Sequence, residues 1–338
     1  MRRFFLLSLI LGAIGYTGGW YYLANKLQHN LEVRLIELRS QGYEIEYKDM
    51  KVEGFPFSIS VMVKEPIFSQ PDIFKSWVEG DLCFKTAVWM PQKVKAVAQA
   101  ICHFDFRLNK TDTLNFTSQG FTLNLSTFFH PSDFEMILDR TTIMNNTSAL
   151  AQIQMMSLKA EQPAPALEAL PPAKIFELML EMKDISGPIL VGNPFGTTIE
   201  NIELQTALRG TGEGKTIANK LDSWYQADGT LDVSHLIINW GPLHLNAEGT
   251  FSLDEQLQPL AAFSTEITGL DKALDALVEG QIIKKKNANL AKMALHFLAD
   301  APQDSSLPGT HRASISIQDG KVDLGPVTLF KIPKINWK

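Results

Sequence analysis

The feature that most constrains this chain is an alternation of apolar and polar residues, which begins near Tyr43 and recurs in run after run. Ile59 and Val61, for example, alternate with serines. A period of two is the pattern of a strand that buries one face. Turn residues such as Asp228-Gly229 separate the runs, as in antiparallel hairpins. The sequence therefore predicts a mainly β fold, an extended and curved antiparallel β body with a few short helices.

The N-terminus carries a second signal, an apolar run without charge from Phe4 to Ala24 that follows Arg2 and Arg3. As a helix this run would be about 31 Å long, close to the thickness of a hydrocarbon core. Aromatic residues at its far end, including Trp20, favour the lipid–water interface. Because the arginines favour the cytoplasmic side, residues 4–24 predict a single-pass transmembrane helix in the inner membrane of a Gram-negative bacterium. The body that follows is then predicted to lie in the periplasm.

Two fates of this segment stay open, an uncleaved anchor and a cleaved signal peptide. Cleavage requires small residues in an Ala-x-Ala pattern, and Tyr22-Leu23-Ala24 has a bulky residue where a small one is needed, which favours the anchor. Removing residues 1–26 takes away three basic residues and no acidic residue, so the net charge changes from −6 to −9. Anionic headgroups would repel such a body, so we expect the anchor rather than the surface to hold it at the membrane.

Composition divides the chain into four parts. Residues 1–26 are the anchor or signal, and residues 27–160 form an N-terminal β-rich region that opens with an amphipathic helix at 27–41. Residues 161–172 contain four prolines among small residues, which is the composition of a linker or long loop. Residues 173–338 form a C-terminal β-rich region, with short helices predicted at 215–226, 270–280 and 288–298.

Two cysteines, Cys83 and Cys102, suit an oxidising compartment. If Gln92-Lys93 forms a two-residue turn, Met90 faces Lys95, and the same register places the two cysteines opposite each other. A cross-strand disulfide would then satisfy the required geometry. The alternative is that both cysteines are small buried hydrophobic residues.

No motif meets the requirements of catalytic or cofactor chemistry. The glycine-rich stretch Gly210–Thr216 resembles a phosphate loop, but Arg209 stands where that motif needs glycine. The seven histidines are scattered without metal-ligand spacing. The acidic net charge and the lack of a basic tail argue against nucleic-acid binding. We therefore predict a protein that is not an enzyme, has no cofactor and no metal site, and has no nucleic-acid partner.

A long antiparallel sheet with one apolar face must cover that face. If the few helices are too short to cover it, the remainder is a groove that accepts an acyl chain or an apolar peptide. Phe55, Phe57, Ile59 and Val61 are candidate residues of such a groove. They fit a closed and filled core equally well, and the sequence leaves both alternatives open.

Four short motifs after the N-terminal run occur in combination, namely Val52–Phe57, Trp240–Leu243, Gly249–Asp254 and Asp319–Pro326. In this combination the chain resembles the alphaproteobacterial envelope family known as domain of unknown function 2125. That family has no established activity, so the resemblance implies no catalytic residues. The Gly-x-Leu and Asp-Gly strand pattern near the C-terminus is also similar to AsmA-like proteins. Those are membrane-anchored, β-rich envelope proteins associated with outer-membrane and lipid homeostasis.

Two functional hypotheses follow. The first is a membrane-anchored periplasmic protein that binds a lipid or another apolar ligand in envelope maintenance. The second is a structural or assembly factor that binds another envelope protein through an exposed sheet edge. The predicted partners are therefore the inner membrane, through residues 4–24, together with either a lipid or an envelope protein.

Overall fold

The computed structural model describes residues 2–109, 111–126, 133–163, 173–299 and 310–337. This part of the chain contains four α-helices, namely α1 (Arg2–Ser40), α2 (Ile217–Gln226), α3 (Leu270–Glu279) and α4 (Lys285–Ala299). α1 is continuous, so the predicted anchor and the predicted amphipathic helix are two parts of one element. Among the described residues, no helix combines the length and the apolar composition that a membrane crossing requires, so the predicted transmembrane helix is not supported.

The described residues also form nineteen strands of one hydrogen-bonded sheet. This confirms the prediction of a mainly β fold with a large antiparallel sheet and few helices. The strands are β1 (Glu44–Glu46), β2 (Asp49–Glu53), β3 (Ser58–Lys64), β4 (Ile67–Gln70), β5 (Phe74–Val78), β6 (Asp81–Ala87), β7 (Met90–Ala98), β8 (Cys102–Arg107), β9 (Thr113–Leu125), β10 (Asp133–Asn145), β11 (Ser148–Glu161), β12 (Lys174–Ser186), β13 (Thr198–Arg209), β14 (Thr230–Trp240), β15 (Leu243–Leu253), β16 (Pro259–Thr268), β17 (Thr310–Gln318), β18 (Lys321–Leu324) and β19 (Val327–Lys331).

The sheet is an antiparallel meander. From β9 to β19, each strand pairs with its neighbours in the chain. Before β9 the strands are shorter, and two consecutive strands together occupy the place of one long strand. β1 pairs with β4 and β2 pairs with β3. In the same way, β5 pairs with β8 and β6 pairs with β7. β9 is long enough to pair with both β8 and β7, and it joins the two halves.

The long strands contain an irregular position that keeps their apolar side chains on one face. On β10, Leu138 and Thr141 are both buried, whereas Asp139 and Arg140 between them are exposed. In a regular strand, residues 138 and 141 would point to opposite faces. Arg140 has a φ of +46°, and this left-handed residue shifts the alternation by one. Asp184 on β12 has a φ of +52° and accompanies the same shift.

α1, α3 and α4 pack towards the two ends of the sheet, whereas α2 packs at the end of β13, where the Trp224 indole donates a hydrogen bond to the Arg209 carbonyl oxygen. α1 packs on β3 through Trp20, Ala24 and Ile59. In the middle of the sheet, a third cluster consists of strand residues, with Ile153 and Ile185 at its centre. α3, α4 and the adjoining turn pack on β16 and β18 through a cluster formed by Ile267, Leu270, Leu274, Ile283, Ala288 and Leu324.

The sheet continues across the proline-rich segment. Residues 164–172, most of the predicted linker, lie outside the described residues. The strands on either side of this segment, β11 and β12, pair directly with each other. The predicted N-terminal and C-terminal β-rich regions therefore contribute to the same sheet.

Candidate functional site

One row of paired residues crosses twelve strands of the sheet and is apolar at nearly every position. Each member lies directly opposite the next in the antiparallel register, and residues paired in this way project to the same face. Strands lie about 4.8 Å apart, so this row is roughly 50 Å long. The central row consists of Val61, Phe84, Ala96, Leu123, Met136, Leu158, Leu180, Leu204, Leu236, Ala247, Thr265 and Ala313.

Two further rows flank the central row over most of its length. Each lies two residues away along the strands, so the three rows together form an apolar band about 14 Å wide. The first flanking row contains Phe121, Leu138, Met156, Met182, Ile202, Ile238, Leu245 and Ile267. The second contains Leu125, Phe134, Ala160, Leu178, Thr206, Val233, Gly249, Phe263 and Ile315.

The other face of the same strands is polar. Asn124, Glu135 and Lys159 lie opposite one another on three neighbouring strands, one residue away from the central row. The Lys159 ammonium forms an ion pair with Glu161, and this hydrogen-bonded contact raises the pKa of Lys159. The sheet therefore has one face suited to water and one face whose chemistry is almost entirely apolar.

The described residues cover the middle of the apolar band incompletely. Some members of the band are buried, such as Ala96 in the central row and Leu138 in the first flanking row, with 0% and 2% of their surface exposed. Leu158, Leu180 and Leu204 remain half-buried. In the described part of the chain, the hydrophobic clusters that include a helix lie at the two ends of the band. A continuous apolar surface of this length that water still reaches is characteristic of a binding site.

At the β3 end of the band, α1 is attached to the hairpin that joins β2 and β3. The Tyr16 hydroxyl donates a hydrogen bond of 2.6 Å to the Pro56 carbonyl oxygen. The Trp20 indole donates one of 2.9 Å to the Ser58 carbonyl oxygen. The rings of Trp20 and Phe55 meet edge to face with centroids 5.4 Å apart. These contacts hold the helix against the tip of the hairpin.

On the N-terminal side of Tyr16, α1 presents exposed apolar side chains. Each of the described members of this set has more than half of its surface exposed, and residues 4–15 include no charged residue on any side of the helix. An all-round apolar helix is suited to lipid or protein surroundings rather than to water. We call this set the apolar segment of α1; its described members are Phe4, Leu7, Leu9, Ile10, Leu11 and Ile14.

The four residues predicted to line a groove are separated by the structure. Val61 is buried in the central row and Ile59 is buried beneath α1. Phe55 and Phe57 lie instead at the hairpin tip, where Phe55 contacts Trp20 and Phe57 is 68% exposed. The four residues therefore do not form one groove, although two of them belong to the buried end of the apolar face.

The predicted register of the cysteines is wrong. Cys83 lies opposite Val97, and Cys102 lies opposite Val78 and Ser118. Both cysteines are free. Cys102 is fully buried, and burial raises the pKa of its thiol to about 11. Cys102 begins a separate strand, β8, which pairs with β5 and β9 rather than with β6. The turn between β6 and β7 is also at Val88-Trp89 rather than at the assumed Gln92-Lys93.

The polar motifs weighed in the sequence have structural roles. The glycine-rich stretch at 210–216 precedes α2, and the Thr216 hydroxyl caps that helix by accepting a hydrogen bond from the Asn219 amide. Within the described ranges, no group of three or more His, Cys, Asp or Glu side chains is placed to hold a metal ion.

The apolar band could not be identified from the sequence. Alternation in each strand was the available signal, and it indicated that every strand has an apolar face. The band depends on how twelve strands are aligned with one another. It also depends on the one-residue shift of the alternation at residues such as Arg140 and Asp184, which we call the phase shift. Local patterns specify neither.

Comparison with known proteins gives one match. A family model described as an uncharacterized protein conserved in bacteria, domain of unknown function 2125, matches residues 20–333. No curated protein and no solved structure matches the chain. The match extends from α1 to the last strand of the sheet and includes the whole apolar band. The chain therefore belongs to the family of conserved, uncharacterised bacterial proteins known as domain of unknown function 2125.

Proposed function

We propose that this protein binds the acyl part of a lipid on the apolar band while the apolar segment of α1 attaches it to a membrane. The observation that carries the proposal is the central row, which is apolar in eleven of its twelve positions and half-exposed in its middle. In this proposal the membrane is the inner membrane of a Gram-negative bacterium, the body lies in the periplasm, and the role is in envelope maintenance.

An acyl chain suits the band for energetic reasons. Each buried methylene contributes about 0.8 kcal/mol, so a chain of about 14 methylenes gains on the order of 10 kcal/mol before the cost of ordering. The band offers almost no polar group for a polar ligand to contact, since Thr206 and Thr265 are its polar side chains and both are buried. We therefore propose binding rather than catalysis as the activity of this face.

Leu180 and Met179 provide a matched pair for a test. They are adjacent on β12, but Leu180 belongs to the central row and Met179 lies on the opposite face, opposite Lys159 and Gln205. We expect Leu180→Asn to weaken binding of a pyrene-labelled fatty acid by roughly tenfold, because it removes apolar contact and places an amide on the band. Met179→Asn should leave the affinity within about twofold.

The measurement uses the full chain, kept soluble by an amphipathic polymer, with circular dichroism to verify that both variants fold. Mass spectrometry of extracted lipid provides an independent readout, and wild-type protein should carry more acyl species than the Leu180→Asn variant. Equal probe affinity in the wild type and both variants would contradict binding on the band.

A second candidate function is strand addition to another envelope protein. Within the described residues, β19 pairs with β18 on one side only. An edge of this kind presents backbone donors and acceptors to another chain. Replacing Thr328 by proline would block pairing at this edge, and a partner held by strand addition should then be lost from chemical cross-links while acyl binding persists.

A further inference from the structure

A lysine-rich pocket lies on the polar face of β6 and β7, close to the attachment point of α1. The pocket has a volume of about 960 Å³. Ser58 lines it, and the carbonyl oxygen of the same residue accepts the hydrogen bond from Trp20 of α1. The pocket and α1 therefore meet the sheet at the same end of β3, with α1 on the apolar face over Ile59 and the pocket on the other face. Its charged lining includes Lys85, Lys93, Lys95 and Asp81.

Two of these lysines are placed in a mutually unfavourable position. Lys85 and Lys95 lie directly opposite each other in the register of β6 and β7. Like charges that face each other across two strands destabilise a sheet. Among the residues that the structure describes, none of the three lysines of the pocket has an ion-pair partner. An anion bound between them would remove the repulsion, and a phosphate group offers the oxygens that ammonium groups bind.

Exposed aromatic residues border the pocket at the hairpin tips. Phe57 and Trp89 line it and are 68% and 69% exposed. They lie at the tips of the β2–β3 and β6–β7 hairpins, and Phe55 in the first tip contacts Trp20 and Tyr21 of α1. Aromatic side chains of this kind favour the boundary between lipid and water. The hairpin tips and the apolar segment of α1 therefore lie at the same end of the molecule.

We propose that this pocket binds the phosphate headgroup of anionic phospholipids in the membrane to which α1 is attached. The inference rests on the proposed function for the position of the membrane, and it adds the class of lipid that the protein prefers. It also changes the expectation drawn from net charge. The body is acidic as a whole, but the pocket near the hairpin tips is lined by three lysines and one aspartate, so anionic headgroups attract this end of the molecule.

The test measures how strongly the full chain prefers anionic vesicles. Protein is partitioned between vesicles of phosphatidylcholine alone and vesicles in which a third of the lipid is phosphatidylglycerol, at low ionic strength. Each lysine close to such a surface contributes roughly fivefold to affinity. We expect the preference of the wild type for anionic vesicles to fall roughly 25-fold in the double variant Lys85→Gln/Lys95→Gln.

Lys159 and Lys183 provide the matched control. Both lie on the polar face of the sheet, away from the pocket, and both are ion-paired with a glutamate. The double variant Lys159→Gln/Lys183→Gln has the same change in net charge and should keep the wild-type preference. An equal loss in both double variants, or no loss in either, would overturn the assignment of the pocket.

Two further measurements separate the pocket from the acyl site and from free phosphate. Lys85→Gln/Lys95→Gln should bind the pyrene-labelled fatty acid as the wild type does, and Leu180→Asn should keep the anionic preference. If the band does not bind acyl chains but the pocket binds headgroups, the wild type will not bind the labelled fatty acid and will still prefer anionic vesicles. Inorganic phosphate, compared with chloride at matched ionic strength, should compete only when it is in large excess over accessible phosphatidylglycerol, and displacement at a phosphate concentration below that of this lipid would make free phosphate the ligand.

Discussion

Trp20 of α1 and Ser58 at the start of β3 are joined by a hydrogen bond of 2.9 Å from the indole nitrogen to the backbone carbonyl oxygen. Trp20 is only 5% exposed, although it follows a helical segment whose apolar side chains are exposed. This residue therefore marks the point at which α1 changes from a projecting helix to one that packs on the sheet. The same residue connects the helix to the lysine-rich pocket on the other face of the sheet, because Ser58 also lines that pocket.

Removing the Trp20 side chain should detach this part of α1. Trp20→Ala loses a buried ring, its hydrogen bond and its contact with Phe55, and such truncations cost about 3 kcal/mol or more. We expect faster amide exchange at residues 55–60 and a lower free energy of unfolding. Tyr22→Ala is the control, because Tyr22 is on the same helix but mostly exposed. Similar exchange in the two variants would contradict a docking role for Trp20.

The phase shift on β10 should depend on the backbone conformation of Arg140. Its φ of +46° is unfavourable for β-branched residues and tolerated by asparagine. We expect Arg140→Val to lower the free energy of unfolding by about 1–2 kcal/mol, whereas Arg140→Asn should leave it nearly unchanged. Denaturant titration of both variants checks this. Wild-type stability of Arg140→Val would show that the left-handed residue does not hold the phase shift.

The two cysteines should differ in reactivity. Cys83 is half-buried and lines the lysine-rich pocket, whereas Cys102 has no exposed surface. We expect iodoacetamide at pH 8 to modify Cys83 in the folded protein and Cys102 only after unfolding. Peptide mass spectrometry identifies the modified residue. A disulfide-linked peptide that contains both residues would contradict the register of β6 and β7.

Burial of Cys102 should make stability depend on alkaline pH. Its pKa rises from 9.0 to about 11, because the thiolate is disfavoured in the buried site. The unfolded chain therefore loses this proton first as the pH rises. The contribution of the neutral thiol is fully present below pH 9 and is lost between pH 9 and pH 11, by about 2 kcal/mol in total.

Denaturant titrations at several pH values measure this loss. Cys102→Ala should remove the Cys102 contribution to the decline between pH 9 and pH 11, although it lowers stability at all pH values. Cys83→Ala should keep that contribution. A decline of equal size in Cys102→Ala and the wild type would contradict the assignment to Cys102.

Several elements could be predicted because their signals are local. The helix predicted at 270–280 is observed at Leu270–Glu279, where leucines recur at helical spacing and Gly280 follows the last turn. The strand predicted from the alternation of Ile59 and Val61 with serines is observed at Ser58–Lys64. In both segments the period of the apolar residues identifies the structure, since a helix and a strand place successive side chains differently.

Elements that depend on long-range pairing were predicted less well. The disulfide hypothesis required one hairpin with its turn at Gln92-Lys93, but Cys83 is on β6 and Cys102 is on β8, which does not pair with β6. On β11, continued alternation predicts Met155 on the apolar side, but Met156 occupies the apolar band after the phase shift. A shift of one residue sends a side chain to the other face, so small errors in register change which residues meet.

The sequence by itself determined that this chain is mainly β, that its strands each have one apolar face and that an apolar segment precedes them. These properties follow from composition and from periods of a few residues. Only the tertiary structure decided that the apolar faces join into one band, that Lys85 and Lys95 face each other, and that their pocket lies at the end of β3 to which α1 is attached. The physical reason is that strand register and the phase shift are set by pairing between distant residues, which no single strand encodes.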